Sequence, residues 1–288
     1  MNELATVNQA ELADLAAELG AKSSASNGPR MPMLRINRAF EDADGRELPR
    51  GHIFLSGEKP VYATEVKFRP LSHHFQYSKY DAAANKYTCM SRQISDWSEE
   101  ARDTQGTIRC GKPDGKTMGK MSADERSKYR DVKLARLVRG VVSYTGKTID
   151  GEEVTIENQP CLLKLTGQNN FQSGSGDRPY APFEEQFKRR IPKGYDMWNF
   201  EVTLTTKKNK NATGDIVWYT FEYAFDPTSP LPVTQEIFDS VKAVADLVRA
   251  ENKQVDDAYM SAIRDGVDAA EYSYLDDGDL DSDLEDVA

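Results

Sequence analysis

Ten basic side chains crowd residues 109–139: Arg109, Lys112, Lys116, Lys120, Arg126, Lys128, Arg130, Lys133, Arg136 and Arg139. Cations at that density suit a polyanion, because each phosphate neutralised releases condensed counterions and gives salt-dependent affinity indifferent to sequence. Two shorter clusters, Lys188, Arg189 and Arg190 with Lys193, and Lys207, Lys208 and Lys210, could line the same groove. A charge run is also what a solvated protein face looks like, so the chemistry depends on what accompanies it.

Aromatic side chains accompany it. Phe75, Tyr77, Tyr80 and Phe171, with Tyr87, Tyr129, Tyr144, Tyr180 and Tyr195, lie near basic residues. The bases of a single strand stack on such rings whatever the base. Trp198, Phe200, Trp218 and Phe221 instead alternate along two strand-like segments and read as core.

Other chemistries fit less well. His73, His74, Cys89 and Cys110 could together hold zinc, but no Cys-x-x-Cys pair occurs and the gaps are wide, so free thiols and no cofactor are expected. Three cysteines, including Cys161, are too few for a disulfide framework and point to a reducing compartment. Gly111, Gly115, Lys116 and Thr117 imitate a phosphate loop, yet three residues separate the glycines where four are needed, and Pro113 is among them. The Gly/Ser run at 172–177 follows no strand-to-helix dinucleotide pattern and reads as a loop able to close over a ligand. No motif marks a nucleophile or a paired acid and base, so the expectation is a binding protein without enzymatic activity.

The distribution of charge sharpens this. From Asp265 to the end there are ten acidic residues and no Lys or Arg, while the whole chain carries 47 acidic and 37 basic residues. The net charge of -10 therefore belongs to the tail, and the body is balanced. No run of about eighteen apolar residues is present to span a bilayer, and Met1, Asn2, Glu3 and Leu4 lack the order of a signal peptide. A cytoplasmic protein without membrane contact is expected.

These groups need elements to position them. Residues 1–20 predict an amphipathic helix with Asn8 and Glu11 as a capping box, followed by a linker at 21–32. Residues 33–232 predict a β-rich core. Its strands fall at Ile53 to Ser56, Val61 to Phe68, His74 to Tyr80, Asp131 to Tyr144, Val154 to Ile156 and Pro160 to Thr166. A long hairpin from Asp196 to Phe225 turns at Lys207 to Gly214. Short helices are expected at Ser95 to Arg102 and Ser122 to Tyr129 in a polar excursion. Thr234 caps a helix over 233–264 whose Ile237, Val241, Val244 and Val248 form one stripe for packing on the sheet. The acidic residues 265–288 predict a disordered tail.

A sheet-based body with basic loops and aromatics, then a helix and an acidic tail containing Tyr272 and Tyr274, resembles the single-stranded DNA-binding proteins of bacteriophages. The resemblance is one of organisation over 108–147, the strands through Phe225 and the tail. It implies a β-rich α+β fold, an OB-like β-barrel with inserted loops and peripheral helices. It also implies single-stranded DNA as ligand in replication, recombination or repair, with a tail that competes with DNA and recruits replication or recombination proteins. The alternative is a phage structural or assembly protein, a scaffold or virion component.

Overall fold

The computed structural model describes residues 31–84, 86–96, 99–172, 180–211, 213–214 and 216–265. The helix expected over 1–20, most of the linker and nearly all of the acidic tail lie outside the described residues.

Among the described residues nine strands make one antiparallel sheet: β1 (Leu34–Ile36), β2 (Ile53–Leu55), β3 (Tyr62–Ala63), β4 (Glu65–Asp81), β5 (Lys86–Met90), β6 (Val132–Lys147), β7 (Glu153–Leu165), β8 (Val202–Lys210) and β9 (Val217–Ala224). The paired path runs β1-β2-β3-β6-β4-β8-β9, with β5 on β4 and β7 on β6. The body is therefore β-rich, as its alternating segments predict. The path does not close into a barrel, which corrects the expected closure: the long β4 and β6 each serve several neighbours, and the sheet branches.

Two pairs of segments that read as separate strands each fall in a single strand bent at a bulge. In β4 the pairing with β6 slips between Pro70 and Ser72, because proline has no N–H to give the ladder. Opposite it stands Gly140, where a Cβ would press into the Arg69 carbonyl and the Phe68 ring. In β7 the slip falls at Asn158, which adopts a positive φ of 47° and bonds through its amide to Ser143 Oγ at 2.8 Å. Both bends look like strand ends in sequence because proline and asparagine normally punctuate.

The main core lies on one face, where Val66, Phe68, Val138, Val142, Leu163, Val202 and Leu204 meet Phe183 and Phe187 from a π-helical turn, Phe183–Phe187. The other face is partly covered by a long helix, Gln235–Asp265, which follows three short ones: α1 (Gly115–Lys120), α2 (Ala123–Ser127) and α3 (Gly167–Asn170), so that it is α4. Ile237 and Val244 of α4 pack on Leu71 and Val141, as the stripe predicts, and Thr234 Oγ1 accepts from the Ile237 amide at 3.4 Å. α2 carries the capping box of Ser122 and Glu125 inside the expected range, while α1 is an addition, capped by Asp114. Described residues between Ser95 and Arg102 form no helix; Ser95 and Asp96 instead donate to Glu99 Oε1 in a turn.

At the edge, β9 pairs only with β8 among the described strands. Its Phe221 amide donates to Asn169 Oδ1 at 2.8 Å and its Tyr223 amide to Gln186 Oε1 at 3.0 Å. No helix among the described residues is long and apolar enough to cross a membrane.

Candidate nucleic-acid interface

The basic stretch begins as a loop and ends as a strand, and between them it folds back on itself through α1 and α2. Asp114 accepts from the Thr117 amide at 2.8 Å and starts α1, while Lys112 is drawn toward β6 by a 3.2 Å bond from its Nζ to the Val132 carbonyl. On the other side, α3 is anchored by Asn170, whose Nδ2 donates to the Leu134 carbonyl at 3.0 Å. These contacts enclose an open cavity of about 630 Å³ between α1, α2, the start of β6 and α3.

Lys112, Arg126, Arg130 and Lys133 line it, together with Tyr129, Phe171, Leu134 and Met118, and no acidic side chain among the described residues does. Arg126, Arg130 and Lys133 are exposed, and none of the four cations is ion-paired with a described residue. Burial, and then the charge of Lys133, lowers the Lys112 ammonium from its usual pKa. Four cations and two aromatic rings thus share one lining, a combination with the chemistry to suit an anion that has a flat apolar part. The volume falls in the range of about 300–1,000 Å³ common for small-ligand sites.

The sequence placed five of these residues in its groove: Lys112, Arg126, Arg130, Lys133 and Phe171. It also named Tyr129. Arg109, Lys116, Lys120 and Lys128 lie beside the cavity in the chain but outside its lining. Arg109 Nε donates to the Lys112 carbonyl at 3.2 Å and so shapes the entry loop. Lys207, Lys208 and Lys210 are exposed on β8 toward the hairpin tip.

Three expected contact residues are inside the protein, which corrects the expectation for them. Arg136 is 1% exposed, with Nη1 donating to Glu184 Oε1 at 2.6 Å and to His73 Nε2 at 2.8 Å. Its guanidinium sits over Phe75 at 4.8 Å, and Phe75 is itself buried. Arg139 is buried on the opposite side of β6, held by Gln93 and by Glu251 of α4 at 2.6 Å. β6 is covered on both faces, so a charge in its middle has an internal partner and no route to solvent.

The second basic cluster is also engaged. Lys188 Nζ lies 3.2 Å from His73 Nδ1, Arg189 pairs with Glu185, and the Arg190 guanidinium stands 5.4 Å over Phe225. Tyr77 packs half-buried on Phe75 and on the cysteines, and Tyr80 meets Tyr87 edge-on at 5.2 Å. Lys164 Nζ donates to Tyr87 Oη at 2.7 Å, making a second, smaller aromatic and cation group.

The four expected zinc ligands do not converge. His73 and His74 point to opposite faces of β4, His73 toward Arg136 and Lys188, His74 toward Arg139. Burial, then the charges of Lys188 and Arg136, pushes the His73 imidazole down to about 2, so it is neutral at physiological pH. Cys89 and Cys110 do meet, with Asp103 as third member of a buried group. Sequence reasoning missed Asp103, Asn170 and Leu134; nothing in their spacing marks them.

No family model, no curated protein and no solved structure matches this chain.

Proposed function

We propose that this protein binds single-stranded DNA without reading its sequence, through the cavity walled by Lys112, Arg126, Arg130 and Lys133. The observation that carries the proposal is four cations, none ion-paired with a described residue, on one lining with Phe171 and Tyr129 and with no acidic side chain among the described residues there, in a chain of net charge -10. Phosphates would meet the exposed Arg126, Arg130 and Lys133, and an unstacked base would lie on the rings. Duplex bases are already stacked on one another and cannot enter such a cavity without being extruded. The proposal rests on the cavity and not on closure of an OB-type barrel, the architecture that such binders often use. The acidic residues 265–288 would compete with the strand for these cations and present a motif to replication or recombination proteins.

Fluorescence anisotropy of labelled oligo-dT across a salt series tests this. Three neutralised phosphates on a single strand give a slope of log affinity against log salt of about -2. Lys133→Ala or Arg130→Ala should weaken binding at low salt and make the slope shallower by about 0.7 each. Binding that ignores salt, or duplex held as tightly as single strand, would overturn the proposal.

A further inference from the structure

Cys89 at the end of β5, Asp103 in the following loop and Cys110 beyond it are brought together by backbone pairing. Ser91 bridges to Asp103, the Thr104 amide donates to the Met90 carbonyl at 3.0 Å, and the Cys110 amide donates to Asp103 Oδ2 at 2.7 Å. The two sulfurs and a carboxylate oxygen all lie within 4.8 Å of one another. They are 1%, 7% and 0% exposed for Cys89, Cys110 and Asp103.

We propose that Cys89, Asp103 and Cys110 bind one thiophilic divalent cation, with zinc as the natural occupant. Tetrahedral zinc, with sulfur at about 2.3 Å and oxygen at about 2.0 Å, places neighbouring ligand atoms roughly 3.5–4 Å apart, a spacing that falls inside the 4.8 Å span of this group. Two sulfurs and one carboxylate oxygen are a zinc-type donor set, too soft for magnesium or calcium. A water completes the fourth position.

The surroundings hold the ligands as a metal site requires. Asp103 Oδ1 accepts from the Gln105 and Thr107 amides, both at 3.0 Å, and Oδ2 from Thr107 Oγ1 at 2.7 Å as well as from Cys110. The three amides fix the carboxylate, and the Thr107 hydroxyl is the donor able to turn away and free a lone pair for the metal. Ligating carboxylates are commonly oriented in this way by outer hydrogen bonds. Arg109 and Cys110 both sit at positive φ, 58° and 52°, a region uncommon for residues other than glycine. That conformation turns Cys110 inward to Cys89. On binding, two sulfur–metal bonds form, both thiol protons pass to solvent, and no electron is transferred, so affinity rises with pH. The ion would brace the loop two residues before Lys112, which enters the cavity.

The test uses the full chain, reduced and stripped of metal by chelation, then titrated with Co²⁺. The expected result is one Co²⁺ per chain by native mass spectrometry, a sulfur-to-cobalt charge-transfer band, and displacement by Zn²⁺. Cys89→Ser and Cys110→Ser should each weaken the band and the double serine variant should abolish it, while Asp103→Asn should weaken binding by about tenfold or more. A second measurement needs only the wild type: alkylation in mild denaturant, read by peptide mass, should slow at Cys89 and Cys110 when Zn²⁺ is present and stay unchanged at Cys161. A wild type without the band, a band that survives the double serine variant, equal alkylation with and without Zn²⁺, or a chain lighter by two hydrogens before the reduction step, the mark of a disulfide, would each overturn the proposal.

Discussion

Lys133 and Arg136 stand three residues apart on β6 and have opposite environments: one is exposed on the cavity, the other is 1% exposed among Phe75, Phe171 and Phe183. Removing one partner of a buried pair leaves the other charge unsatisfied, at a cost of about 3–5 kcal/mol, whereas a solvent-facing substitution falls within about 0.5 kcal/mol. Arg136→Ala should therefore shift the urea midpoint strongly, and Lys133→Ala should leave it nearly in place. Buried His73 adds a pH dependence of definite sign. Its folded value of about 2 lies below the usual 6.5, so the neutral ring contributes stability that is complete above pH 6.5 and declines as the pH falls toward 2. Arg136, Lys188 and Glu184 face the ring, and the two cations reinforce the shift. By pH 5 the loss amounts to about 2 kcal/mol. Thermal melting should show it between pH 6.5 and 5, and His73→Gln should flatten that fall. At this scale the sequence revealed which residues are cationic but not which are inside. The signal available was the nearly unbroken apolar run from Leu134 to Tyr144, since a strand buried on both faces leaves no exit for Arg136 or Arg139.

Bends decide the shape of the sheet at the level of elements. At the β4 bulge, Gly140 lets β6 pass close to the Arg69 carbonyl and Phe68 ring, and an added methyl has nowhere to go. Gly140→Ala should lower stability by about 1–3 kcal/mol in chemical unfolding, with loss of near-ultraviolet ellipticity if the core around Phe68 repacks. Elements with a clean period were legible: α4 from its stripe and Thr234 cap, and the β8–β9 hairpin from its alternation. Its first strand nevertheless begins at Val202 rather than Asp196, since Met197–Asn199 form a 3-10 turn, and it runs on into the expected turn, so that Lys207, Lys208 and Lys210 belong to β8. α1 was hidden because Gly115 and Gly119 argue against a helix, and only the Asp114 cap speaks for one. The Phe183–Phe187 turn was hidden because a single π-helical turn has no period to detect, although it supplies two of the largest buried rings.

For the molecule as a whole, the balance between a neutral body and a tail carrying the net charge sets the electrostatics. A chain ending at Arg264 lacks ten acidic residues, so it should bind oligo-dT more tightly than the full chain at low salt, with the difference vanishing as salt screens both. Anisotropy titrations of the two forms side by side check this; a truncation without effect would leave the tail no part in competing for the cavity. The groups that form the cavity were legible as a set from charge and aromatic content. Their assembly was not, because it depends on Asn170 tying α3 to the start of β6, a contact between residues 36 apart in the chain. The edge strand β9 carries a different consequence. Over Phe221 and Tyr223, Asn169 and Gln186 occupy the donors that a strand from another copy would need. Copies crowded together would thus find no free donors at Phe221 and Tyr223 with which to extend the sheet, a guard against edge-to-edge aggregation at high concentration.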